Sequence, residues 1–78
     1  MTNELQLGIY QHYKGSEYEV IAIGRYEATL EPAVVYRALY ESPDFGKDAV
    51  WIRPINEFQD SVEVDGVAVP RFRFLRNK

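Results

Sequence analysis

Alternating valines around an Asp-Gly pair are the sequence feature that most constrains the fold of this chain. Residues 62–69 read VEVDGVAV, with valine at alternating positions on both sides of the pair. Asp-Gly accepts the two positive φ angles of a type I′ turn, whose twist matches a two-residue β-hairpin. We therefore predict a hairpin with the four valines on one face, in which Val64 faces Val67 and Val62 faces Val69.

Short runs of β-branched and aromatic residues, each ended by turn residues, make up most of the remaining chain and predict strands. Together with the two hairpin arms we count six runs, of which the other four are residues 8–13, 18–26, 33–40 and 49–53. The second run is apolar on both faces over most of its length, so we predict a central strand buried on both faces. Gly24 in this run indicates a bend or bulge.

Two segments between the strands have distinct predictions. Residues 41–48 are the longest polar stretch, which predicts an exposed, mobile loop. Residues 54–59 begin with proline, which is tolerated at a first helical position, and predict a single helical turn.

The apolar positions change parity at Pro70. Beyond it Phe72 and Phe74 are the apolar residues, with Arg71 and Arg73 between them. A bulge at Pro70, or a strand that passes from one sheet to another, accounts for the change.

The size of the chain limits the architecture. Seventy-eight residues are too few for a second domain, and the absence of cysteine excludes disulfides and thiolate metal sites. We predict one mostly-β domain over residues 1–78, a small SH3-like β roll or barrel of about six antiparallel strands with one short helical turn. An open α+β sheet is the alternative.

Hydropathy and charge restrict location and partners. No apolar run approaches the ~18 residues of a membrane span, and the first residues lack the pattern of a secretory signal. We expect a cytoplasmic protein without membrane contact. Residues 1–70 hold five Lys and Arg against all twelve Asp and Glu, a net charge of −7, whereas the last eight residues carry four cations. This basic end either folds back onto the acidic body or presents a phosphate-binding edge, and the acidic body disfavours nucleic acid as a partner.

The residues for catalysis are few. The single histidine, His12, has no HxxH or HxH spacing for a metal, and no nucleophile or carboxylate follows it in a pattern that would make it a general base. Nucleotide-binding and nucleophile-elbow motifs do not occur. We expect no catalytic residue, no metal and no cofactor, and we favour a protein that is not an enzyme while leaving that question open.

Aromatic and basic residues interleave along several predicted strands. Trp, Tyr and Arg dominate binding hot spots, although a half-buried strand produces the same alternation without any ligand. By analogy with other SH3-like folds, we predict a binding or accessory module whose open face takes a peptide, a protein or a small anionic ligand. The predicted ligand-binding residues are His12, Lys14, Tyr36, Arg37, Trp51 and Arg53.

Two alternatives from other classes stay open. One is a small enzyme that acts on an anionic metabolite, with arginines as an anion clamp and His12 or Glu57 as the acid or base. The other is a subunit that works only in a larger assembly.

Four short motifs carry a resemblance to a known family. HYKG (12–15), VVYRALY (34–40), WIRP (51–54) and VPRF (69–72) stand in an order and at a spacing that resemble the DUF1653 family of small bacterial proteins. The resemblance runs from about Leu7 to Phe74. It implies an SH3-like small β roll, and it implies no activity, because the family is defined by its unknown function and has no established catalytic residues.

Overall fold

The computed structural model describes residues 5–78, which form nine β-strands and one turn of α-helix. The strands are β1 (Gly8–His12), β2 (Glu17–Tyr26), β3 (Glu31–Ala38), β4 (Glu41–Ser42), β5 (Gly46–Lys47), β6 (Val50–Pro54), β7 (Ser61–Val64), β8 (Val67–Pro70) and β9 (Phe72–Arg76). The helical turn, α1 (Ile55–Phe58), lies between β6 and β7 and begins directly after Pro54, which is its N-cap. The predicted helical turn is confirmed.

Five strands form the main sheet, in the order β6-β3-β2-β1-β9, and neighbouring strands are antiparallel. The strands β4 and β5 pair in one small separate sheet, and β7 and β8 in another. The mostly-β class with one short helical turn is confirmed. Within residues 5–78 the edge strands β6 and β9 do not pair with each other, so the main sheet stays open instead of closing into a barrel.

The core lies on one face of the main sheet, here called the inner face, which α1 covers. Ile55 and Phe58 from α1 pack there against buried side chains of four strands, namely Tyr10, Val20, Val34, Tyr36 and Phe72. The rings of Phe58 and Phe72 are stacked with centroids 4.1 Å apart. Large rings bury on the order of 150–250 Å² each, so a few aromatic residues supply most of the core of this small chain.

The predicted hairpin is formed by β7 and β8 with the expected register. Val62 pairs with Val69, and Val64 pairs with Val67. The turn residues Asp65 and Gly66 have φ angles of 52° and 79°, both positive as a type I′ turn requires.

The parity change at Pro70 has a clear structural cause. Pro70 is the last residue of β8 in the hairpin sheet, and Phe72 begins β9 in the main sheet. The chain therefore passes from one sheet to another, which is the second of the two expected explanations.

Two expectations for β2 are wrong. The strand is central in the sheet but is not buried on both faces. Ile21 and Ile23 are exposed, because the core under α1 includes Val20 but does not extend along β2 to these two residues. The irregularity lies between Val20 and Ala22, where the register with β3 shifts, and Gly24 is regularly paired with Ala33.

The polar segment 41–48 is largely exposed, as expected, and contains the short β4–β5 pair. Its mobility stays a prediction.

Candidate ligand-binding cleft

The six predicted binding residues do not form one face. Strand pairing places Tyr36 opposite Trp51, and Arg53 follows two residues later on the same side of β6. Arg37 neighbours Tyr36 in β3 and therefore points to the opposite, outer face. His12 ends β1, and Lys14 lies in the turn after it. The separation of Arg37 from Tyr36 was predictable from the sequence, because adjacent residues of a strand point to opposite faces.

The residues on the inner face are used mainly in packing. Tyr36 is 5% exposed and belongs to the core. Trp51 is half-buried, with its ring edge-on to Phe45 at 5.1 Å between centroids. The guanidinium of Arg53 lies 5.9 Å from the centroid of the Phe72 ring, and its Nε group donates to the Tyr36 hydroxyl at 3.4 Å. These contacts explain the aromatic and basic pattern without a ligand.

Arg37 belongs to an ion-pair network on the outer face. Its guanidinium contacts the carboxylates of Glu19 and Asp48, the latter at 3.2 Å, and Lys78 approaches Glu19 at 3.3 Å. Hydrogen bonding from Arg37 holds the pKa of Glu19 below its ordinary value of 4.5, against the effect of burial, with Lys78 as a further favourable partner. This arginine is therefore already matched by carboxylates.

The basic end of the chain largely folds back onto acidic partners. Arg76 approaches Glu17 at 3.4 Å, and Lys78 approaches Glu19. Arg71 donates from Nε and Nη2 to the two carboxylate oxygens of Asp60, at 2.6 and 3.2 Å. The self-neutralising alternative therefore describes three of the four terminal cations.

Arg73 is the exception. Its Nη2 group donates to the side-chain oxygen of Gln11 at 2.7 Å, and Gln11 in turn donates to the carbonyl of Gly15 at 3.2 Å. In the described part of the chain no carboxylate lies within 4.0 Å of its guanidinium. A neutral amide thus orients this cation without cancelling its charge.

Arg73 lines a cleft of about 380 Å³ between β1 with its following turn and the β7–β8 hairpin. None of the residues that line it is acidic, although the chain carries twelve Asp and Glu. The other lining residues used below are Gln11, His12, Tyr13, Val64 and Val69. The cleft combines one oriented cation with apolar walls, a composition typical of ligand sites.

His12 is the predicted site residue that lines this cleft, and Lys14 lies beside it. The Nδ1 atom of His12 accepts a hydrogen bond from the backbone N–H of Lys14 at 3.2 Å, so neutral His12 carries its proton on Nε2. Burial lowers the pKa of His12 below its ordinary value of 6.5, and the positive charges of Arg53, Lys14 and Arg71 lower it further. The Nζ atom of Lys14 lies 5.8 Å from the centroid of the Tyr13 ring.

The contacts of His12 do not resemble an acid–base pair. Across residues 5–78 no carboxylate forms a hydrogen bond or ion pair with its ring. Glu57, the other suggested acid or base, lies 3.9 Å from Arg53 as an i,i+4 pair. The same stretch contains no group of three or more His, Asp and Glu residues that could hold a metal ion.

Sequence reasoning missed Gln11, Val64 and Val69 as site residues and did not separate Arg73 from Arg71. The predicted hairpin register did place Val64 and Val69 on the same face. No sequence signal says that the hairpin lies against the β1 turn, or that Arg73 lies beside an amide.

In residues 5–78 no helix is long and apolar enough to cross a membrane.

Comparisons with known proteins concern the whole fold. The family model described as "Protein of unknown function (DUF1653)" matches residues 8–74. A solved crystal structure of a DUF1653 protein from Bordetella bronchiseptica is 27% identical, with a TM-score of 0.84 over 96% of this chain and 92% of that chain. A comparison with curated proteins gave no match. Since the family model spans most of the sequence and the solved member shares the fold, this chain belongs to the DUF1653 family, whose function is unknown.

Proposed function

We propose that this protein is a non-catalytic binding module that holds an anionic group of its ligand in the cleft, with Arg73 as the principal cation. Of the residues predicted from the sequence, His12 lines this cleft and Lys14 lies beside it. Tyr36, Trp51 and Arg53 support the fold from the inner face, and Arg37 stabilises the outer face. The observation that carries the proposal is the pairing of Arg73 with the neutral amide of Gln11 in a cleft without acidic lining residues.

The chemistry of arginine supports this choice. A guanidinium has five N–H donors in a fixed fork that matches carboxylate and phosphate oxygens. The hydrogen bond to Gln11 uses one Nη2 proton and holds the plane of the fork, so four of the five protons, including the second one on Nη2, remain for a ligand. Preorganised donors of this kind increase affinity, because less side-chain entropy is lost on binding.

A small enzyme acting on an anionic metabolite has less support. The Nδ1 atom of His12 is occupied by the Lys14 backbone N–H, and Glu57 is adjacent to Arg53 instead of His12. The cytoplasmic location and the single domain over residues 1–78 stay proposals. Cell fractionation and limited proteolysis would test them.

The test is a titration of the ¹⁵N-labelled protein with inorganic phosphate and with acetate at low ionic strength, followed by amide chemical shifts. We expect saturable shifts at the amides of Gly15, Val69 and Arg73. Arg73→Gln should weaken binding about tenfold or more, because a charge-assisted hydrogen bond contributes about 1.5–3 kcal/mol.

Arg76→Gln is the matched control, because it removes the same charge from the same strand where Glu17 already pairs with the guanidinium. It should leave anion binding nearly unchanged. An equal loss in both variants would mean that general charge, and not the cleft, attracts the anion. Absence of saturable shifts with both anions would refute the proposal.

A further inference from the structure

We infer that the ligand of the cleft is a small aromatic carboxylate, whose ring lies against the valine wall and whose carboxylate binds Arg73. This inference rests on the proposed anion site and names the class of molecule that fills it. Three properties of the cleft carry the inference: its apolar walls, its volume and its single oriented cation.

The apolar walls come from two separate elements. Val64 and Val69 share one face of the hairpin by register, and the cleft brings them opposite Tyr13 of the β1 turn. Val64 and Tyr13 are each 39% exposed, which is high for apolar or aromatic side chains that converge on one cavity. Burial of such surface by a ligand is favourable at about 25 cal/mol per Å², and a ligand ring gains further from offset or edge-to-face contact with Tyr13.

The volume limits the size of the ligand. About 380 Å³ lies near the lower end of the range of roughly 300–1,000 Å³ for small-molecule pockets. A body of one or two rings suits this space, whereas a dinucleotide or a folded partner does not.

The charge favours a monoanion. Arg73 can form a bidentate pair with one carboxylate. The whole chain has a net charge of −3, so a dianion such as a phosphate monoester is repelled more strongly than a carboxylate. The same chemistry, a ring with a carboxylate, occurs in free small acids and at the end of a peptide that terminates in an aromatic residue.

The wall is held in place from its base. Asp60 and Arg71 directly flank the hairpin, and besides their side-chain pair the N–H of Arg71 donates to the carbonyl of Asp60 at 3.0 Å. This clamp fixes the base of the hairpin where the chain enters β9, so the valines and Arg73 have a defined separation.

The experiment compares four probes by the same amide-shift titration: phenylacetate, its neutral analogue phenylacetamide, acetate and inorganic phosphate. We expect phenylacetate to bind at least tenfold more tightly than each of the other three. In Arg73→Gln the advantage of phenylacetate over phenylacetamide should fall to about twofold or less. N-acetyl-Gly-Phe distinguishes the two sources of the ligand. A cleft that binds the end of a peptide should bind N-acetyl-Gly-Phe at least as tightly as phenylacetate, whereas a cleft that binds a free small acid should bind it more weakly than phenylacetate.

A matched pair of variants separates this inference from the proposed function. Val64→Thr places a hydroxyl on the cleft wall, and Val67→Thr makes the same change at the paired hairpin position, which does not line the cleft. We expect Val64→Thr to weaken phenylacetate about threefold or more and acetate by a clearly smaller factor, and Val67→Thr to change neither. Thermal unfolding of both variants checks that the hairpin persists.

Some outcomes overturn the inference. If acetate or phosphate binds in an Arg73-dependent manner but phenylacetate binds no more tightly than acetate, the aromatic carboxylate is excluded and the anion site stands. If none of the anions gives saturable shifts, the proposed function and this inference fail together. Equal effects of Val64→Thr and Val67→Thr on phenylacetate would also exclude the valine wall as its binding surface.

Discussion

Arg71 and Arg73 are two residues apart in one segment and differ almost entirely in their surroundings. Arg71 forms a bidentate ion pair with the carboxylate of Asp60 at the base of the hairpin. Arg73 forms one hydrogen bond with the amide of Gln11 and lines the cleft. The same side chain is thus a structural clamp in one position and an available cation in the other.

The difference shows how the partner of a cation determines its role. A carboxylate neutralises the charge of a guanidinium, and the guanidinium in turn lowers the pKa of the carboxylate. The hydrogen bond from Arg71 lowers the pKa of Asp60 in this way. An amide orients the guanidinium but leaves its field intact. Isolated surface ion pairs contribute little to stability, but the Arg71–Asp60 pair is bidentate and its side chains are only 25% and 37% exposed, so it stabilises the base of the hairpin as well as positioning it.

The largest expected effect comes from removing the anchor between the two arginines. Phe72 is 7% exposed and stacked on Phe58. Phe72→Ala should lower the free energy of unfolding by about 3–5 kcal/mol, which removes much of the stability of so small a domain. Urea unfolding followed by circular dichroism measures it. Phe74→Ala is the matched control, because that ring is 37% exposed and should cost less than half as much; equal losses would contradict the assigned core.

The next largest expected effect comes from breaking the Asp60–Arg71 clamp at the base of the hairpin. Asp60→Asn should lower the melting temperature by several degrees, since it leaves Arg71 without its carboxylate and loosens the hairpin base. Arg71→Gln should have a similar effect, and the double variant should add little to either, which a thermal double-mutant cycle measures. Fully additive effects would mean that the two side chains act independently. Acetate binding should be retained in Asp60→Asn, because Arg73 is untouched.

Gln11→Glu converts the surroundings of Arg73 into those of Arg71. The new carboxylate should pair with Arg73 and weaken anion binding about tenfold or more, while the melting temperature stays the same or rises slightly. Anion titration and thermal unfolding of the same sample measure both properties. Gln59→Glu adds the same charge at an exposed position after α1 and should leave binding nearly unchanged. Undiminished binding in Gln11→Glu would contradict the role of Arg73.

The smallest effect is the pH dependence of His12. Its pKa is below 6.5 in the folded chain, so the unfolded chain takes up the proton first as the pH falls. The stability contribution of neutral His12 is therefore complete above pH 6.5 and is lost as the pH falls from 6.5 through the lower folded value. The carboxylates Glu19 and Asp60 also contribute to stability, but their contributions are lost only at lower pH, as the pH falls below their ordinary pKa values of 4.5 and 3.8.

Urea midpoints at pH 7.5 and 5.5 measure this contribution. We expect the wild-type midpoint to fall between the two pH values and the His12→Gln midpoint to change less. In the cleft the same protonation adds a positive charge, so acetate should bind more tightly at the lower pH. A wild-type midpoint that rises as the pH falls would show that the sign is wrong.

Local rules predicted much of the fold. The Asp65-Gly66 turn, its valine register and the helical turn after Pro54 all depend on backbone preferences of a few neighbouring residues, and the structure confirms them. The two buried faces expected for β2 failed because burial depends on what covers a sheet. The small core under one helical turn includes Val20 but does not reach the next residues of this strand, which leaves Ile21 and Ile23 exposed.

The candidate site divides in the same way. The sequence predicted His12 and Lys14, which lie in or beside the cleft, and strand alternation alone separates Arg37 from Tyr36. It predicted Trp51 and Arg53 as binding residues because a core and a binding face share one composition; in the structure Phe45 and Phe72 pack against them, and their role in binding stays a prediction.

By itself the sequence determined a mostly-β chain, the Asp-Gly hairpin, the change of parity at Pro70 and an acidic body with a basic end, since these follow from local conformation and composition. The tertiary structure decided which of the four cations in residues 71–78 lies without a carboxylate partner in the described part of the chain. Asp60 reaches Arg71 because the hairpin brings its two ends together, and Gln11 reaches Arg73 because β1 pairs with β9. The first contact continues the hairpin register, whereas the second joins residues 62 positions apart, so the geometry at Arg73 depends on the assembled sheet and not on either segment alone.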